Sequence, residues 1–317
     1  MTIGGAVAAS PAGGALQLAM QASGGHGSFT LTGALSGGQI ALTAPSSIVS
    51  LGGLISGNSL TVNAGSSALT QFGTISVGSV SFQAPSSTLT LAGPITGDSV
   101  AVSAPFSTVT LQGAISGNSI SVTGPATSIV LASGSSFAGL GGTGENPLRS
   151  QPFPTPGAPG LYLQADAISN LNPNLNLSGS RNISATFALT GGGTVNLGNL
   201  QAPNTTLFLD LGNGSATGQI NVAGLHVRYG PPTSEKVNLR GSVAGVSGFG
   251  AAAISLVTPA PLANYQLPAQ WLLGRNELRY ERDRPHPRDR AERAQPDNNP
   301  DRQQSAGSAD GRNAGGL

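Results

Sequence analysis

Residues 31–130 consist of five consecutive segments of 20 residues each. They read LTGALSGGQIALTAPSSIVS (31–50), LGGLISGNSLTVNAGSSALT (51–70), QFGTISVGSVSFQAPSSTLT (71–90), LAGPITGDSVAVSAPFSTVT (91–110) and LQGAISGNSISVTGPATSIV (111–130). The segments align without a single insertion. An uninterrupted repeat of this length is typical of solenoid proteins, in which each repeat forms one coil that stacks on the next.

Apolar residues recur at the same places in all five segments. They form four columns: Val49, Leu69, Leu89, Val109 and Ile129; Ile40, Leu60, Val80, Val100 and Ile120; Leu42, Val62, Phe82, Val102 and Val122; and Leu35, Ile55, Ile75, Ile95 and Ile115. Within a segment the apolar sites lie two residues apart, which is the spacing of a β-strand rather than of an α-helix. The Ser, Thr, Ala, Asn and Gln residues between them are predicted to point outward. One coil cannot bury so short a strand face, but coils stacked about 4.8 Å apart pair every backbone group with a neighbour. The repeat therefore predicts an all-β fold, a parallel β-helix (β-solenoid) with 20-residue coils.

Turn-forming residues also keep fixed places in the repeat. Ala44-Pro45 and its equivalents mark strand ends, because Pro cannot donate a backbone hydrogen bond to a sheet. The sequence Ser-Gly-Asn-Ser at 56–59 and 116–119 predicts a second turn. Gly33 and its equivalents predict a corner in mid-strand, where a bend or a close approach of two backbones requires Gly.

The composition changes along the chain and divides it into four parts. Residues 1–145 are predicted to form regular β-helix coils, residues 146–160 a Pro-rich loop or linker, residues 161–257 irregular coils, and residues 258–317 a linker and a disordered charged tail. The segment that begins at Leu200 resembles the one that begins at Phe82, which predicts that Leu207 takes the place of Leu89. Residues 270–317 hold 9 of the 14 Lys and Arg residues and 8 of the 13 Asp and Glu residues, a composition typical of disorder. A reading-frame artefact is the alternative explanation for this contrast.

The overall composition excludes several classes of function. Charged residues are 9% of the chain and the net charge is +1, so no electrostatic field favours nucleic acid or an anionic membrane. The chain has no Cys, which excludes disulfides and thiol catalysis. It has no run of 18 apolar residues, which predicts no membrane-spanning segment. No Lys or Arg precedes Arg149, so the charged start of a signal peptide is missing, and we expect the C-terminal fragment of a longer exported protein.

Enzymes that cleave polysaccharides on a β-helix need carboxylates placed a few ångströms apart. Residues 1–144 contain one charged side chain, Asp98, and one His, His26. The sequence therefore predicts no catalytic residue, no cofactor-binding residue, no metal site and no cofactor, and the protein is not expected to be an enzyme. Asp98 shares a turn column with Asn58 and Asn118 and is interpreted as a turn-capping carboxylate. His26 and His226 are predicted to face solvent.

Two further motifs carry weaker predictions. Gly139, Gly141 and Gly144 match the dinucleotide-binding spacing G-x-G-x-x-G, but Pro147 follows instead of a helix, so the match is interpreted as chance. Stacked Thr pairs resemble the Thr arrays of ice-binding solenoids, at Thr88 and Thr90 over Thr108 and Thr110. This Thr ladder is two coils deep, which makes ice binding the less favoured interpretation.

The repeat L-x-G-x-I-x-G-x-S-V-x-V-x-A-P-x-S-x-L resembles the coils of filamentous haemagglutinin-like exoproteins of Gram-negative bacteria, closely over residues 31–130 and loosely to residue 257. The resemblance implies a right-handed parallel β-helix that is exported by two-partner secretion and used in adhesion. It also implies an outer-membrane transporter as a partner during export. Asn172-Pro173-Asn174-Leu175 echoes a motif of the family's N-terminal secretion domain, but it follows the repeats instead of preceding them and is interpreted as coincidence.

These observations lead to one expected function and two alternatives. The expected function is that of a structural or adhesive exoprotein fragment, secreted or at the cell surface, that binds a host-cell, glycan or surface ligand. The alternatives are a passive stalk of an autotransporter-type passenger and a solenoid that binds or degrades polysaccharide. A solenoid surface by itself does not identify the ligand.

Overall fold

A computed structural model describes residues 1–9, 14–19, 27–142, 153–179, 182–212, 214–229, 237–243 and 254–257. These residues all belong to one compact unit, Met1–Arg282. They contain strands, bends and turns and no helix. The predicted charged tail, His26 and Gly144 lie outside the described residues.

The described residues form 25 strands. They are β1 (Thr2–Ile3), β2 (Val7–Ala8), β3 (Ala15–Ala19), β4 (Gly27–Leu31), β5 (Leu35–Thr43), β6 (Ser47–Leu51), β7 (Ile55–Asn63), β8 (Ala68–Gln71), β9 (Ile75–Gln83), β10 (Thr88–Leu91), β11 (Ile95–Thr96), β12 (Ser99–Ser103), β13 (Thr108–Leu111), β14 (Ala114–Ser116), β15 (Ser119–Thr123), β16 (Ser128–Leu131), β17 (Ser136–Leu140), β18 (Gly160–Ala165), β19 (Ala167–Asn170), β20 (Asn176–Gly179), β21 (Ile183–Leu189), β22 (Thr194–Gly212), β23 (Ser215–Tyr229), β24 (Val237–Val243) and β25 (Ile254–Val257). Each strand pairs in parallel with the strand one coil away, as in Ile55↔Ile75 and Val100↔Ile120. The predicted fold is confirmed: the chain is a parallel β-solenoid of about ten turns.

Each coil has three sides separated by corners. Side 1 includes β1, β4, β6, β8, β10, β13, β16, β19 and the first residues of β22, β23 and β24. Side 2 includes the first residues of β5, β7 and β9, followed by β11, β14, β17 and β20. Side 3 includes β3, the last residues of β5, β7 and β9, then β12, β15, β18, β21 and the later residues of β22 and β23. The four apolar columns predicted from the repeat are all buried between these sides.

The core continues into the second half of the chain, but in a different frame from the one expected there. The column of Leu89 runs on through Ile129 to Ile168 on side 1. Leu207 lies instead on side 3, in the column that contains Ile120. The predicted match of Leu207 with Leu89 was therefore wrong. Coils in this half are irregular in length, so a short sequence match can be displaced by a whole side.

The corner between sides 1 and 2 explains the Gly column. Gly53 lies in a bend between β6 and β7 and not in mid-strand, which corrects the predicted placement while confirming the corner. A Cβ atom added to Gly53 would lie 1.8 Å from the carbonyl oxygen of Gly33, one coil below. The same contact recurs at Gly73, where the distance to the Gly53 oxygen would be 2.2 Å. Any other residue at this corner would force adjacent coils apart.

The second predicted turn, between sides 2 and 3, forms in some coils only. In the later coil, Gly117 and Asn118 interrupt the strands β14 and β15, as predicted. Residues 56–59, by contrast, lie within the continuous strand β7, so the predicted change of direction occurs there without a break between strands. The chain still changes direction, because Ile55 and Leu60 are both buried although they are five residues apart. Backbone pairing with the adjacent coils continues on both sides of this corner.

The corner between sides 3 and 1 contains a column of buried hydroxyls. The strand ends at the Ala-Pro pair as predicted, and the next residue has a positive φ in five coils: Ser46, Ser66, Ser86, Phe106 and Ala126. The residue after that points inward, which corrects the prediction that the Ser and Thr positions face outward: Ser47, Ser67, Ser87, Ser107 and Thr127 are 2–7% exposed. Their hydroxyls join neighbouring coils, since Ser87 Oγ donates to the Ala64 carbonyl (2.9 Å) and accepts from the Ser67 N–H (3.1 Å). The buried hydroxyls thus add to the backbone bonds between coils at this corner, such as the one from the Ser66 N–H to the Pro85 carbonyl (2.8 Å).

Candidate interaction surfaces

The predicted site residues occur at separate places in the solenoid. Asp98 is exposed at a bend, where its N–H donates to the Gly78 carbonyl (2.7 Å) and its carbonyl accepts from the Ser119 N–H (3.1 Å). The described residues contain no group of three or more His, Asp or Glu side chains that could hold a metal ion. Gly139 lies in β17 with a φ of 68° and Gly141 follows the end of that strand, whereas residues 143–152 lie outside the described part of the chain.

His226 is buried, which contradicts its predicted exposure. Only 2% of the residue is accessible, and its ring stacks on Phe208 with the ring centroids 4.8 Å apart and an interplanar angle of 13°. The strand pattern does place His226 on the outside of side 3, as expected, because it is paired with Phe208, which follows the inward-facing Leu207. The prediction was wrong because this part of the outer surface is itself covered.

The covered surface is a column of outward residues on side 3. Ser121, Tyr162, Thr186, Phe208 and His226 occupy equivalent places in successive coils. All five are between 0 and 8% exposed. In the earlier coils the same column holds Ala41, Thr61, Ser81 and Ala101, which are partly or fully exposed. We call Ser121, Tyr162, Thr186, Phe208 and His226 the covered column.

Residues 153–159, which we call the strap, lie against this column. Phe153 packs edge-on against Phe208, with ring centroids 5.5 Å apart and an interplanar angle of 71°. At the other end of the strap, Ser119 Oγ donates to the Ala158 carbonyl (2.9 Å). Ser121 lies on the same strand as Ser119, two residues further along the chain. Phe208 lies three coils beyond Ser121. The strap therefore crosses several coils before the chain re-enters the solenoid at β18.

The sequence repeat does not predict the strap or the covered column. The signal was present in the sequence: once residues 141–159 are removed, the outward column changes from Ser and Ala to Tyr, Thr, Phe and His. The coils that follow residues 141–159 are irregular in length, so the 20-residue period does not align the columns on the two sides of this segment. The hydroxyls of Ser184 and Thr186 are also buried on this face, and they have no hydrogen-bond partner.

Buried amides stabilise two corners of the solenoid. Gln71 occupies a core position, where its amide oxygen accepts from the Gly93 N–H (3.2 Å) and its amide nitrogen donates to the Gly73 carbonyl. Asn172, part of the Asn-Pro-Asn-Leu motif, donates to the Ser135 carbonyl (2.7 Å) and accepts from the Asn174 N–H (3.0 Å). The motif therefore has a structural role at a corner of this solenoid.

Side 1 has a continuous outer surface of small uncharged residues, which we call the hydroxyl face. Its first column is Thr30, Ser50, Thr70, Thr90, Thr110, Val130, Ser169, Asn196 and Thr217, and its second is Ser28, Ile48, Ala68, Thr88, Thr108, Ser128, Ala167, Thr194 and Ser215. The predicted pairing of Thr88 with Thr108 and of Thr90 with Thr110 is confirmed. Every residue of the two columns is exposed or partly exposed.

Comparisons with known proteins identify no relative of this chain. No protein family matches the sequence, and neither a curated protein nor a solved structure is significantly similar. Among the described residues there is no helix with the length and apolar character of a transmembrane span.

Proposed function

We propose that this chain is a structural and adhesive module of an exported surface protein. The observation that carries the proposal is the parallel solenoid of about ten turns, a fold that suits a surface adhesin or a passenger-like stalk. Each coil is held by both neighbours through parallel strand pairing and a shared core, which makes the solenoid a stiff support for surfaces on its outside.

The surface chemistry supports attachment rather than catalysis. The described residues include five charged residues, Asp98, Asp166, Asp210, Arg228 and Arg240. Asp166 bonds the corner of the neighbouring coil, since its Oδ1 accepts from the Ala126 N–H (3.2 Å) and from the Thr190 hydroxyl. A neutral surface rich in hydroxyls and amides suits a neutral ligand such as a glycan, which it would bind by many weak hydrogen bonds.

The repeat supports a more specific version of this proposal. Its resemblance to filamentous haemagglutinin-like exoproteins suggests secretion to the cell surface through an outer-membrane transporter. The absence of Cys agrees with this route, because an exported chain without thiols cannot form mispaired disulfides. In this proposal the protein has no catalytic site.

Binding of the purified full chain to cultured epithelial cells and to an array of neutral and acidic glycans tests the adhesive role. We expect saturable binding to at least one of these surfaces, and we expect the heat-unfolded chain to lose it. No saturable binding to either surface would favour a passive stalk. Release of reducing ends from a polysaccharide would contradict the non-enzymatic role, and the Asp98→Asn variant would then show whether Asp98 is responsible.

A further inference from the structure

The hydroxyl face is a long exposed sheet surface that carries no charge. Thirteen of its eighteen residues are Ser or Thr, and the others are Ile48, Ala68, Val130, Ala167 and Asn196. None of the eighteen residues is charged, aromatic or Pro. Natural proteins use Lys, Pro or bulges to prevent association through sheet edges, and a charged side chain on a sheet face likewise opposes its burial against a second face. Uncharged strands with high β-propensity and no Pro instead favour packing of two such surfaces against each other.

Two properties of the side chains favour a rigid partner with the same chemistry. Thr, Val and Ile have one strongly restricted side-chain torsion, so little side-chain entropy is lost when they are packed. Hydroxyls in adjacent coils can satisfy one another, as Thr194 and Ser215 do at 3.2 Å. Ile48 is 62% exposed on this face, although burial of a large apolar side chain is energetically favourable.

The size of the face is compatible with a dimer. Eight steps of about 4.8 Å along nine strands, with a width of four residues at about 3.3 Å each, give roughly 500 Å² per copy. Two such surfaces together bury about 1,000 Å², which is near the lower limit for a specific protein interface. The absence of charge on the face means that two copies do not repel each other there.

We infer that the hydroxyl face is an interface between two copies of this chain. In a closed pair with two-fold symmetry the same surface of both copies is buried, and the middle of the face meets the middle of the partner's face. Thr90 and Thr110 lie at that middle. The pair leaves side 2 and the uncovered part of side 3 accessible, so the inference does not depend on the adhesive role proposed above.

Sedimentation velocity of the full chain over a range of concentrations tests this inference. We expect a mass that rises from 31.3 kDa towards twice that value as the concentration increases. Thr90→Lys places a charge in the middle of the face and should weaken dimerisation at least tenfold. Ser103→Lys is the matched control, because Ser103 is exposed on the outside of side 3, and it should dimerise like the parent.

Disulfide trapping provides a second measurement that does not depend on the Lys substitutions. Since the chain has no Cys, Thr90→Cys and Ser103→Cys each introduce a single thiol. With oxidised glutathione as the oxidant, Thr90→Cys should yield a covalent dimer much faster than Ser103→Cys. A parent chain that stays monomeric at all concentrations would overturn the inference, as would dimers that Thr90→Lys does not weaken or equal trapping of the two Cys variants.

Discussion

Buried polar side chains are the residues on which individual substitutions act most directly. Thr127 and Thr186 are both almost fully buried, at 2% and 1% exposure. Thr127 Oγ1 donates to the Ala104 carbonyl (2.6 Å) at the hydroxyl corner, whereas Thr186 Oγ1 has no hydrogen-bond partner. A buried Thr hydroxyl therefore stabilises the fold at position 127 and destabilises it at position 186.

Substitution of these two residues by Val should change the stability in opposite directions. Thr186→Val removes an unsatisfied buried hydroxyl and should raise the free energy of unfolding by about 1 kcal/mol. Thr127→Val leaves the Ala104 carbonyl without its donor and should lower it by about 1–2 kcal/mol. Urea unfolding of both variants beside the parent measures the two changes. Changes of equal sign would show that hydrogen bonding does not govern these positions.

The strap is the element that distinguishes the two halves of the solenoid. Where it lies on side 3, the outward column changes from partly or fully exposed Ala, Thr and Ser residues to buried residues that include Tyr162, Phe208 and His226. Phe153 and Phe208 then form a small second core on the outside of the sheet. Edge-to-face aromatic pairs of this kind contribute about 0.5–1.5 kcal/mol beyond the area they bury.

Truncation of Phe153 should release the strap without unfolding the coils. We expect Phe153→Ala to lower the free energy of unfolding by about 1–2 kcal/mol, because the residue is only partly buried. Limited proteolysis should then cut the strap faster than in the parent. Thr155→Ala, at an exposed position of the strap, is the control and should behave like the parent. Equal cleavage of the two variants would mean that the Phe153–Phe208 contact does not hold the strap.

At the scale of the whole molecule, the 20-residue period matters more than any single coil. Residues 20 apart pair in register through the regular half, as in Leu51↔Gln71 and Thr90↔Thr110. Each coil contacts only its neighbours, so the stability is approximately a sum over coils and their interfaces. A shift of one residue, by contrast, turns a whole set of apolar side chains outward.

Two deletions that differ by one residue test this difference. Removal of residues 71–90 joins Thr70 to Leu91, places Leu91 beside Leu51, and should cost only the stability of one coil. Removal of residues 71–89 retains Thr90 as an extra residue. It should lower the free energy of unfolding by about 3 kcal/mol more than the first deletion does, which corresponds to the burial of two apolar side chains. Denaturant unfolding of both proteins measures the difference, and aggregation of the second would agree with exposed strand edges. Equal destabilisation would contradict the 20-residue solenoid.

The sequence by itself determined the repeating half of this protein. A fixed period, alternation along each segment and Pro or Gly at constant places are enough to identify the strands, the inward columns and two of the corners, because stacking relates each residue to the one 20 positions away. Only the tertiary structure decided the inward column of hydroxyls, the burial of Gln71 and His226, and the position of the strap. These features depend on contacts with no fixed spacing along the chain, such as Phe153 with Phe208, and on backbone groups at corners that polar side chains can satisfy. Residue type alone places such side chains in solvent, whereas a partner provided by another part of the chain makes their burial favourable.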